Sequence, residues 1–179
     1  RALRAQQNSD NTRGGDVTEE TLQHEVAHQV LFFIGFHNEK AMLQGANPRW
    51  LAEGIAQLFE PIDVGEGSGI GKVNRDQAAQ FHRLVEADAL FPIDGFVSDI
   101  RYFGVGNPAL QAYPQSWALA HYLTRTKRKE LKAYLDEINT RGGDYEMDPE
   151  KDLACFEKYF GKVDESWIKR FKDYMARVN

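Results

Sequence analysis

Residues 18–34 read Thr-Glu-Glu-Thr-Leu-Gln-His-Glu-Val-Ala-His-Gln-Val-Leu-Phe-Phe-Ile, and this stretch decides the fold. It contains no glycine or proline and carries apolar residues at helical spacing, so it predicts one helix. Within it lies His24-Glu25-Val26-Ala27-His28, an HExxH pattern. Positions four apart on a helix are roughly 40° apart around the axis and about 6 Å along it. Both imidazoles can therefore face one metal ion. Neutral imidazole suits Zn²⁺ at about 2.0–2.1 Å. Glu25 cannot easily reach the same ion, but it can reach a water bound to that ion, where a general base belongs. The plainer alternative is an amphipathic helix with two solvated histidines.

The rest of the helix argues for the metal. With Leu22 as zero and about 100° per residue, Val26, Val30 and Phe33 fall within about 80° of it, which predicts a core stripe. His24 and His28 fall on the opposite side. Ala27, Leu31, Phe32 and Ile34 are apolar too, so the helix is expected to be buried nearly all round. Histidines and a glutamate on such a helix need partners, and a metal with its water supplies them.

The chain has 179 residues, which makes one domain over 1–179 the default. Its 42% hydrophobic content is enough for a core and excludes a disordered chain. A net charge of −5 with no basic block disfavours nucleic acid. The single Cys155 excludes an internal disulfide and a cysteine-rich zinc site. No apolar run is long enough to span a bilayer, and no signal peptide stands at Arg1, although one removed upstream is compatible with a start other than Met.

Outward from the motif, residues 1–15 are polar and predict a frayed lead-in. Asp16 and Glu19 have capping-box spacing. Asn47-Pro48 predicts a second helix, with Asn47 as N-cap, running to Glu60 before Pro61. The glycine-rich stretch 62–73 fits no phosphate-loop register and predicts a mobile loop or a small hairpin near 61–73. Further helices are expected over 76–87, 114–126, 129–140, 149–160 and 165–178, with 88–112 a packed irregular segment. The bulky stripes Leu153, Phe156, Phe160 and Trp167, Phe171, Tyr174 read as core. The fold class is mainly α, with little or no sheet.

A catalytic zinc takes three protein ligands and leaves one position open. His37, nine residues after His28, misses the third-histidine position of H-E-x-x-H-x-x-G-x-x-H, where Ile34 stands. Glu53 is the better candidate. It lies on the next helix among apolar neighbours, where an unpaired carboxylate would be costly; a structural salt bridge is its other reading. A second helix packed antiparallel would bring it to the ion.

His24-Glu25-Val26-Ala27-His28-Gln29 followed by Trp50-Leu51-Ala52-Glu53-Gly54-Ile55-Ala56 resembles the gluzincin metallopeptidases, among them aminopeptidase N and thermolysin. The resemblance spans about residues 21–60 and one further segment, Tyr113 to Leu123. It implies a zincin-like helical catalytic subdomain. It implies zinc-dependent hydrolysis of peptide bonds in a peptide or protein substrate, with His24, His28 and Glu53 on Zn²⁺ and Glu25 activating the zinc-bound water. It also implies Tyr113, at the head of its helix, as donor to the oxyanion, with Tyr102 and His121 as substitutes, and a place outside the cytoplasm. Three departures stand out. The Gly-x-Met-Glu-Asn motif is absent. Gln57 stands where thermolysin-like members carry Asp, so the carboxylate that orients a histidine is unassigned. The β-rich part that precedes the motif helix in zincins is expected to be short or missing. A zinc-binding module that does not cleave is the alternative.

Overall fold

The computed structural model describes residues 18–34, 36, 47–61, 71–98, 100–104, 107–141 and 148–179. The elements are α1 (Glu19–Phe33), α2 (Arg49–Phe59), α3 (Arg75–Glu86), the short α4 (Ile93–Phe96), a 3₁₀ turn (Ile100–Phe103), α5 (Asn107–Thr126), α6 (Arg128–Asn139), α7 (Pro149–Phe160) and α8 (Glu165–Met175). No strand occurs among the described residues, so the mainly α expectation holds. The lead-in before residue 18, the Asp16 cap, His37 and most of the expected 61–73 hairpin lie outside the described residues.

Sequence sets the helix boundaries through local chemistry. Thr18, not Asp16, is the described N-cap of α1, its side chain accepting from the Thr21 N–H at 3.1 Å. Asp148 caps α7 and Asp164 caps α8 in the same way, with Pro149 in the first turn of α7. The N-cap of α2 is Pro48, without a side-chain bond, one residue later than expected.

The core gathers around α5. Ala112 and the run Trp117–Leu123 are buried, and α2, α3, α6 and α8 all pack on this helix. Gly54 permits the closest approach. A Cβ there would stand 2.5 Å from the Ser116 carbonyl oxygen and 2.8 Å from the Ala120 methyl. The glycine beside Glu53 thus lets α2 lie flat on α5. Gln115 ties down the irregular segment before α5: its amide accepts from Phe91 N–H at 2.9 Å and donates to Phe91 C=O at 2.8 Å.

Two expectations are corrected. First, α5 begins at Asn107, not at Pro114, and carries Pro114 in its interior. Proline has no N–H, so the Leu110 carbonyl loses its helical partner. Tyr113 therefore sits inside the helix and not at its head. Second, α1 is not buried nearly all round as expected, and it packs with the opposite face from the one its large apolar residues suggest. Ala27 and Leu31 are buried against the rest of the chain, chiefly α2. Leu22, Val26, Val30 and Phe33 are exposed, Phe33 by 83%. His24 and His28 pair with Glu53 and Glu60 of α2 on this face, and the small Ala27 lets the helices approach. Leu31→Ala is therefore expected to cost about 2–5 kcal/mol, whereas Phe33→Ser stays within about 0.5 kcal/mol. Urea unfolding of the two variants checks the order; a reversed order would place the core on the other face.

A candidate metal centre between α1 and α2

The His24, His28 and Glu53 side chains converge. His24 Nε2 and His28 Nε2 lie 3.0 Å apart. Glu53 Oε2 stands 3.5 Å from the first and 3.6 Å from the second. Around a tetrahedral ion with ligands at about 2.0–2.1 Å, neighbouring ligand atoms are about 3.3 Å apart. The three spacings bracket that value. Two imidazoles and one carboxylate are also the donor set zinc takes in sites that keep an open position. Among the described residues this is the group whose ligand atoms could hold a metal ion.

Local structure accounts for the convergence. The four-residue spacing on α1 stacks the imidazoles, whose rings meet edge to face with centroids 4.7 Å apart. Glu53 is held from behind by Arg49, one turn earlier on α2, whose Nε donates to Oε1 at 3.3 Å. The Arg49 guanidinium lies over the Phe103 ring, 5.4 Å from its centre. One carboxylate oxygen is thus committed to Arg49 and the other faces the rings.

The charges respond to this arrangement. Burial pushes the Glu53 carboxyl up, but hydrogen bonds to His24 and His28, with the charges of His28 and Arg49, outweigh it and hold the group down at about 2. His24 is raised to about 9 by its bonds to Glu53 and Glu60, against the opposing effect of burial. The cluster is part-buried, with each histidine in contact with a carboxylate of α2.

Glu60 is the residue the sequence reading missed. Its Oε1 pairs with His24 Nδ1 at 2.7 Å. It is the carboxylate that orients a histidine, the role left open when Gln57 replaced the expected Asp. Helical periodicity carried the signal: seven residues past Glu53 is nearly two full turns, so both carboxylates share a face. Glu60 keeps helical backbone angles as the C-cap of α2, which preserves that register.

An open cavity of about 430 Å³ adjoins the centre. His24, Gln57, Glu60 and Tyr113 line it, with Leu110 and Pro114 beside the break in α5. Tyr113 thus reaches the same cavity as the histidine. Glu25 is exposed on α1 and is not among the lining residues. The substitutes for Tyr113 lie elsewhere. Tyr102 packs on Phe91, with ring centroids 4.5 Å apart. His121 is buried against Trp117 and Tyr174.

Burial, with the Arg125 charge adding to it, depresses His121 to about 4. Its neutral form is native, while the unfolded chain binds a proton below about 6.5. Stability is therefore fully present above about pH 6.5 and is lost as pH falls toward 4, by at most on the order of 3 kcal/mol. Denaturation of His121→Leu is expected to lack this component between pH 6.5 and 4; an unchanged slope would refute it.

Fold and site together define a helical domain with a His-His-Glu cluster fit for a divalent cation. The chain belongs to the DUF1570 family, described as proteins of unknown function, whose model matches residues 18–143. No curated protein and no solved structure matches the chain. No described helix is long and apolar enough to cross a membrane.

Proposed function

We propose that the protein is a zinc-dependent peptidase of gluzincin type, acting on a peptide or protein outside the cytoplasm. One observation carries the reading: the ligand atoms of His24, His28 and Glu53 meet at tetrahedral spacing, with Glu60 behind His24. Zn²⁺ bound there supplies a Lewis acid that polarises the scissile carbonyl and makes water acidic enough to attack at neutral pH. His24, His28 and Glu53 hold the ion, and Glu60 keeps the His24 ring aimed at it. Glu25 accepts a proton from the attacking water and returns it to the leaving amine. Tyr113 donates its phenol proton in a hydrogen bond to the carbonyl oxygen as charge develops, a contribution of about 3 kcal/mol. Gln57 and Pro114 line the open cavity next to His24, which is large enough to admit part of a substrate.

The second reading is a zinc-binding module without activity. No strand among the described residues offers a sheet edge to align a peptide, which favours this reading. Glu25 favours the peptidase, because metal binding alone needs no base. Digestion of a broad peptide library with and without chelator separates the two. Chelator-sensitive cleavage is expected; zinc binding without cleavage would support the module.

A further inference from the structure

The support behind His24 extends one residue further, onto a third helix. Glu60 accepts from His24 Nδ1 through Oε1 and from Asn74 Nδ2 through Oε2, the latter at 2.6 Å. Asn74 is also the N-cap of α3, its Oδ1 accepting from the Gln77 N–H at 3.2 Å. A backbone N–H can only donate, so the cap fixes which end of the Asn74 amide faces which partner. The oxygen must face Gln77, and the NH₂ must face Glu60. Asn74 donates to one oxygen of Glu60, and the other oxygen faces His24 Nδ1 as an acceptor. In the neutral His24 ring the proton then stays on Nδ1, and the Nε2 lone pair faces the centre.

We propose that Asn74 is a positioning residue of the metal centre, acting through Glu60 to fix the tautomer and direction of His24. The chain is His24–Glu60–Asn74, and it joins α1, the end of α2 and the start of α3. Gly71 N–H, bonding to Leu58 C=O at 2.9 Å, is a second link between the end of α2 and the residues before α3. The inference rests on the cluster being a metal centre, but it needs no turnover.

The test must separate this role from capping. Ser is as good an N-cap as Asn, yet its hydroxyl is too short to reach Glu60 from the same backbone position. Asn74→Ser is therefore expected to keep the melting temperature of the metal-free protein while weakening zinc binding about 10–100-fold, the usual cost of losing a partner behind a ligand. Zinc affinity is read by competition with a chromogenic chelator. In the zinc-loaded protein, the His24 Nδ1–H resonance is expected to exchange with water faster in the variant than in the parent. Should Asn74→Ser melt below the parent, Asn74→Asp, also a strong N-cap, carries the comparison. It too lacks the NH₂ and is expected to bind zinc more weakly. Equal zinc affinity and equal Nδ1–H exchange in parent and variants would reduce Asn74 to a cap. A parent that binds no zinc would instead remove the metal centre itself.

Discussion

Glu25→Gln is expected to retain zinc and to lower kcat/KM on any chelator-sensitive peptide by roughly 10²–10⁴-fold, the range a positioned general base contributes. Glu25 stands next to His24 on α1 but outside the cluster of ligand atoms. The amide keeps its shape and nearly its volume and loses only the capacity to take a proton. Removing a ligand would lower metal content and rate together; removing the base should lower the rate alone. The exposure of Glu25 means that the fold does not depend on it, so a stable variant is expected. Parent and variant with equal rates would eliminate Glu25 as the base and leave the non-cleaving module as the better reading.

Glu53→Ala is expected to weaken zinc binding by more than the 10–100-fold typical of losing an outer partner, because it removes one of three atoms on the ion. It leaves two imidazoles 3.0 Å apart and frees Arg49 from its carboxylate partner. Two nitrogens alone hold zinc far less well than the full set of three ligands. Glu53→Gln separates charge from shape. It keeps an oxygen near the rings but removes the negative charge that offsets the ion, so its affinity should fall between the other two. Calorimetric zinc titration of all three proteins gives the order, and the melting temperatures of the metal-free forms exclude unfolding as the cause. Equal affinity in parent and Glu53→Ala would mean that the carboxylate is only a salt-bridge partner of Arg49.

Much of this site was legible from spacing alone. The four-residue step from His24 to His28 fixes their common face, and a carboxylate among the apolar residues of the next helix needs a reason to be there. What spacing could not decide was which face of α1 packs inward. The helix is apolar on several sides, and periodicity weighs each large side chain without knowing what lies opposite. The face with the ligands and the small Ala27 meets α2, so the larger residues are left outside. Glu60 was missed for a different reason. The expected position for a supporting carboxylate came from a resemblance, which pointed to residue 57, while the seven-residue register from Glu53 pointed to residue 60. Pro114 reads as a helix beginning in the sequence, whereas α5 starts at Asn107. Asn107-Pro108 offered the same signature one and a half turns or more earlier, and the interior Pro114 removes one helical hydrogen bond without ending α5.

The convergence of two imidazoles and one carboxylate on a single ion is tested most directly by X-ray absorption at the zinc edge of the loaded protein. The expected coordination sphere holds two imidazole nitrogens with carboxylate and solvent oxygens, all at about 2.0–2.1 Å. Zinc that washes off in dialysis, or a shell with fewer than two imidazoles, would contradict the site and every step built on it.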